Sequence, residues 1–182
     1  DVRSSAEAVD AVTDKSASLA VCLVRDRNPR LEYRRLYREF FGLFCGPPHP
    51  LFGRDGLTQA DLAGHAAVGF ETDRLGDMLH PVTLMRAQAE MPHQMVGVSS
   101  HLEEVRRMIV AGLGVGALPL HVAARDVADG LLWQLPPRDT EPAIDVHVVQ
   151  NPKTRLNRAE RSFLARLTDT IEATPIEART YR

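Results

Sequence analysis

Apolar positions along this chain follow two rhythms: short near-continuous or alternating runs, and residues recurring every three or four places. The first rhythm predicts strands. "SLAVCLV" (18–24) is short and rich in Val and Leu, the composition of a buried parallel strand. "LEYRRLYREFFGLFCG" (31–46) reads as one or two strands ending at the turn "PPHPL". Further strands are expected at 66–70, in "HQMVGVSS" (93–100), "VGALP" (115–119), "LLWQL" (131–135) and "IDVHVVQN" (144–151).

The second rhythm predicts helices. "AEAVDAV" (6–12) follows Ser4 and Ser5 and carries Glu7 in its first turn, as an N-capped helix does. "HPVTLMRAQAEM" (80–91) has Pro81 at its first turn. Leu102, Val105 and Ile109 share a face, Ser100 with Glu103 has the form of a capping box, and Gly112 is the expected left-handed cap. "HVAARDVADG" (121–130) is a short helix closed by Gly130. In 155–173, Ala159, Phe163, Leu164, Leu167 and Ile171 share a face, with Asn157 and Glu160 as the cap. The tail "TPIEARTYR" (174–182) reads as frayed. Strands alternating with helices predict an α/β architecture.

Glycines 112, 114 and 116 raise the question of a phosphate-cradling loop. A dinucleotide fingerprint needs strand, glycine turn and then helix, so that the pyrophosphate meets the helix N-terminus. Here the helix comes first and the strand last, and no Walker lysine follows. The glycines are therefore a tight joint that lets the helix end and the chain pack closely on the sheet.

Composition narrows the class. The 182 residues are 44% hydrophobic and 25% charged, as in a globular protein. A formal net charge of −2 argues against nucleic-acid binding by this chain through bulk electrostatics. The longest apolar run, 108–120, is glycine-interrupted and too short for a membrane span. Two cysteines and no basic-then-apolar leader point to a reducing, cytoplasmic location. The opening on Asp1 suggests an excised domain.

Candidate chemistry is sparse. Cys45 and His49 in "CGPPHPL" could suggest a thiol nucleophile or a metal, but a metal site needs more ligands, and a buried strand end followed by a proline turn explains both. Cys22 reads as core. "RDRNPRLEYRRLYRE" (25–39) holds six arginines, offset by Asp26, Glu32 and Glu39, and reads as a solvated face or subunit contact. The first turn after Ser99, Ser100 and His101 offers free backbone N–H groups to an anionic or hydroxylated ligand, or is ordinary capping.

Taken in order, "LYREFFGLFCGPPHPLF", "LTQADLAGHAAVGF", "SSHLEEVRRMIVAGLGVGALPLHVA", "GLLWQLPP", "VHVVQNP" and "LNRAERSFLARL" resemble the C-terminal effector-binding domain of LysR-type transcriptional regulators, from about residue 4 to 171. The resemblance implies a type 2 periplasmic-binding-protein-like α/β fold of two lobes joined by two crossing strands. "FGLFCG" would cross out and "IDVHVVQN" back, giving lobe I as 1–45 with 147–182 and lobe II as 46–146. Lobe I lacks the family's opening strand–helix–strand, so it is expected to be incomplete, with an exposed edge suited to pairing with another subunit. A small-molecule effector would sit in the cleft. By the same comparison Ser4 and Ser5 would face Ser99, Ser100 and His101, with Cys45 and Gly46 at the crossing and Glu71 and Thr72 of "FETD" as another wall.

The implied function is sensing without catalysis, metal or cofactor, in a cytoplasmic homodimer or homotetramer. The effector would be a small polar molecule such as a carboxylate, and DNA would be bound through a separate winged helix-turn-helix domain. A transporter's solute-binding protein shares the fold and is the alternative. An enzyme on the same scaffold has no supporting acid–base pair or cofactor loop in the sequence.

Overall fold

The computed structural model describes residues 3–75 and 77–182. It divides into two compact units, Asp1–Arg38 with Asp145–Tyr181, and Glu39–Ile144 with Arg182. The chain passes from one unit to the other within β2 (Glu32–Cys45) and returns within β7 (Ala143–Gln150).

In the first unit, α1 (Ser5–Thr13) starts from a capping box: the Ser4 hydroxyl accepts from the Glu7 N–H, and the Glu7 carboxylate accepts from the Ser4 N–H at 2.9 Å. β1 (Leu19–Leu23) pairs with β7 from Leu19↔Gln150 to Leu23↔Val146. This pairing is antiparallel and β1 buries alternate residues, which corrects the expected buried parallel strand. Val21 is 52% exposed, because only one side of β1 meets the core of Val12, Ala20, Cys22, Leu31 and Val149. The 31–46 segment is one continuous strand, β2.

α5 (Arg158–Ala173) is capped by Asn157 and Glu160 as expected. Its apolar face is at most half-buried, however, and Phe163 is 56% exposed. The tail is not frayed. A 3-10 turn, Ile176–Arg179, leads into β8 (Thr180–Tyr181), which pairs with β2. Arg179 fixes it by donating to the carbonyls of Thr174, Arg35 and Leu36, and Tyr181 packs edge-on against Tyr37 at 5.6 Å. Backbone carbonyls recruited by a side chain are invisible to a hydrophobicity pattern.

In the second unit the strand order is β2, β5 (Val115–Pro119), β3 (Ala67–Phe70) and β4 (Met95–Ser99), with β6 (Trp133–Leu135) also on β2. β5 and β6 run antiparallel to β2, with Phe41↔Pro119 and Cys45↔Trp133, while β3 is parallel to both β4 and β5. α2 (His80–Gln88) opens with Pro81, and α4 (Leu120–Ala128) follows β5 directly. α3 (Leu102–Val110) lays Val105 and Ile109 on β3, β4 and β5 with no exposure.

The glycine stretch is the joint the sequence predicts. Gly112 takes φ +76°, its N–H reaches the Ile109 carbonyl at 2.9 Å and the Leu113 N–H reaches that of Met108 at 3.1 Å, which closes α3 as a Schellman motif. Gly114 then passes so close to Ala66 that a Cβ would lie 2.6 Å from its carbonyl oxygen. Among the described residues no helix is long and apolar enough to cross a membrane.

Candidate functional site

Because β3, β4 and β5 are parallel, their C-terminal ends share one rim of the second unit, where open α/β sheets place ligands. Phe70 pairs with Ser99 across β3 and β4, and the Glu71 N–H donates to the Ser99 carbonyl at 3.2 Å. The two expected walls, Glu71 with Thr72 and Ser99 to His101, are thus neighbours. Thr72 is half-buried and its carbonyl accepts from the Leu79 N–H at 3.3 Å.

The start of α3 differs from the expected capping box. His101 is the N-cap residue, Ser100 lies before it, and no side chain caps the helix. The serine engaged locally is Ser99, buried at the end of β4. Its hydroxyl accepts from the His101 N–H at 3.0 Å and donates to the Glu104 carboxylate. The chain turns into the helix one residue later than the Ser100–Glu103 spacing requires. Ser100 and His101 are left exposed. α4 also begins without a side-chain cap, at Pro119. The rim therefore carries two helix starts that no side chain caps, although at α3 the Glu104 N–H already donates to the His101 carbonyl at 3.2 Å.

The other candidates lie elsewhere. Cys45 and Gly46 are buried at the far end of β2, where a Cβ on Gly46 would lie 2.3 Å from the Ile109 carbonyl oxygen. They meet the C-terminal end of α3, a helix length of about 13 Å from its start. Burial pushes the Cys45 thiol up to about 12 and that of Cys22 to about 11, so neither supplies a thiolate near neutrality. In the first unit, Ser4 caps α1 and the Ser5 hydroxyl accepts from the Leu23 N–H at 3.1 Å.

Two features of the rim escaped the sequence reading. Glu39, counted there among the acids of a solvated face, is only 7% exposed. It lies one alternate position beyond Phe41, on the same face of β2, and the Phe41↔Pro119 register brings it opposite His121 at the start of α4. The His121 Nε2 is 3.9 Å from its carboxylate, beyond hydrogen-bond reach, and burial pushes the Glu39 carboxyl up to about 7. Burial also lowers His121. The second feature is a buried clamp behind the β3 turn, where Asp73 binds Arg86 and Thr83 of α2. A carboxylate next to "FF" in one segment, and an Asp–Arg pair thirteen residues apart, were the available signals. Among the described residues no three His, Cys, Asp or Glu side chains cluster as metal ligands would.

The LysR substrate binding domain model matches residues 1–172. The chain belongs to that family. It is 32% identical over 137 residues to the HTH-type transcriptional activator BauR of Pseudomonas aeruginosa, covering 74% of this chain and 42% of BauR. The LysR domain thus spans about two fifths of the length of that curated relative. Among solved structures, the apo regulatory domain of HypT from Salmonella typhimurium superposes with TM-score 0.74 at 18% identity, over 96% of this chain and 82% of that one. The effector-binding domain of QuiR in complex with shikimate gives TM-score 0.73 at 13% identity, over 93% and 79%. These likenesses show the fold, the type 2 periplasmic-binding-protein-like α/β fold of LysR regulatory domains. The family assignment makes the chain an effector-sensing regulatory domain and sets aside the transporter solute-binding alternative.

Proposed function

We propose that this domain holds a small polar effector at the C-terminal rim of β3, β4 and β5, and that occupancy tunes DNA binding by a winged helix-turn-helix domain of the same regulator. The carrying observation is the rim itself: two uncapped helix starts beside Ser99, Ser100, His101, Glu71 and Thr72. Open N–H groups and the helix dipole favour an anionic group, so a carboxylate-bearing metabolite is the class we assign. The shikimate complex of QuiR supports a small organic molecule as effector. Ser4 and Ser5, at the start of α1, are the candidates of the first unit.

The domain senses without turnover, a reading that the raised thiols of Cys22 and Cys45 support. It works in the cytoplasm as a homodimer or homotetramer, and the half-exposed Val21 on the terminal strand β1 supports pairing with a second copy. Effector binding shifts DNA affinity only insofar as it favours one regulator conformation over another, and DNA then changes effector affinity by the same factor.

A thermal-shift screen of this chain against a panel of mono- and dicarboxylate metabolites tests the reading. A ligand at 100 times its Kd adds about 2.7 kcal/mol. That raises the midpoint of a domain of this size by roughly 5–11 °C. A panel in which no compound moves the midpoint overturns it.

A further inference from the structure

We propose that Glu39 is a specificity-determining residue of this rim and receives a protonated amine of the effector, which makes the effector an amine-bearing carboxylate. The inference rests on reading the rim as the effector site. Glu39 combines three properties that a purely structural carboxylate does not need together. Its side chain is nine-tenths buried. Among the described residues no hydrogen-bond donor reaches its carboxylate, and its nearest cationic candidate is His121 at 3.9 Å. It stands at the same rim, two residues beyond the Phe41↔Pro119 pair that leads into the uncapped start of α4.

A carboxylate in that position carries a desolvation cost that a hydrogen-bonded cation removes. An ammonium group is such a cation, and the N–H groups at the helix starts take the carboxylate end of the same molecule. Phe41, two residues from Glu39 on the same face of β2, packs edge-on against Phe70 at the end of β3 with centroids 6.5 Å apart, so the surroundings of Glu39 are apolar. The raised titration of Glu39 agrees with this geometry, since a carboxyl that stays partly protonated near neutrality lacks a counter-charge.

The test measures binding to the 182-residue chain by calorimetry and thermal shift, using matched pairs: alanine against propionate, 4-aminobutanoate against butanoate, and 5-aminopentanoate against pentanoate. At least one amine-bearing member is expected to bind the wild type about tenfold or more tightly than its plain partner. Glu39→Gln should abolish that preference while its unliganded midpoint stays at or above the wild-type value, and Glu39→Asp should keep part of it. Ser100→Ala should weaken both members of a pair alike. The wild-type comparison needs no variant, so it decides the matter even if a substitution impairs folding. Equal binding of both members, or an amine preference that survives in Glu39→Gln, overturns the proposal. A plain carboxylate that binds when no amine does overturns it too, but leaves the effector-binding reading standing. No binding by any member also overturns it, and the metabolite screen then decides the broader reading.

Discussion

Arg86 Nη2 lies 3.0 Å from Asp73 Oδ1, with both side chains almost wholly out of water. The same nitrogen donates to the Asp73 carbonyl at 3.2 Å, and the Thr83 hydroxyl donates to Oδ1 at 2.9 Å. α2 is thereby tied to the turn that carries Glu71 and Thr72. Arg86→Ala leaves a buried carboxylate without its counter-charge and should cost about 3–5 kcal/mol. Asp73 Oδ2 and Arg86 Nε and Nη1 have no partner among the described residues, so the intact pair is imperfectly compensated. Replacing both by Leu and Met should then be far less costly than Arg86→Ala alone, and close to neutral. Urea unfolding measures both. An Arg86→Ala loss below about 1 kcal/mol would show that the pair is not a clamp.

Glu39 makes stability fall as pH rises. Its carboxyl titrates at about 7 in the folded chain, against about 4.3 when unfolded. Between those values the folded state binds more protons, so the stabilisation is complete below about pH 4 and lost as pH climbs through 7. The loss amounts to roughly 4 kcal/mol. The difference in unfolding free energy between wild type and Glu39→Gln should therefore move against the wild type from pH 5 to pH 8. Titration of His121 is shared by both proteins and largely cancels. A difference that does not vary with pH would place the Glu39 titration near its ordinary value.

The strand and helix order was legible because each amphipathic segment buries its own stripe, and Val105 with Ile109 on α3 is the clearest case. What could not be read depended on partners distant in sequence. The antiparallel sense of β1 is set by β7, more than a hundred residues later. The order of the tail is set by Arg35 and Leu36. Glu39 looked solvated because its neighbours Arg35 and Arg38 are charged, and only the β2–β5 register brings it opposite His121. At the rim, Ser99 to His101 could be named from the helix start. Their adjacency to Glu71 required the parallel pairing of β3 with β4.

The glycine joint predicts a stability effect separate from binding. A Cβ at residue 114 would lie 2.6 Å from the Ala66 carbonyl oxygen, which the sheet holds in place, so Gly114→Ala should cost about 1–3 kcal/mol. At Gly130, φ is +73° with open space around it, and Gly130→Ala should cost only the left-handed backbone term, about 1 kcal/mol. Neither substitution should change effector affinity, since both lie away from the rim. Chemical denaturation with parallel calorimetry checks this. Nucleotide or pyrophosphate binding that Gly114→Ala destroys would reinstate the phosphate-loop reading.

The start of α3 separates structure from recognition residue by residue. Ser99 holds the turn, because its hydroxyl accepts from the His101 N–H and donates to Glu104, so Ser99→Ala should cost about 1 kcal/mol of stability. Ser100 and His101 expose side chains that make no hydrogen bond among the described residues. Their replacement by Ala should leave stability within about 0.5 kcal/mol. Each loss should instead appear in effector affinity, by about tenfold for a side chain that hydrogen-bonds an anionic ligand. Calorimetry on the two single variants with a compound from the metabolite screen measures it. Wild-type affinity in both would move the effector away from α3 and leave α4 as the helix start that receives it.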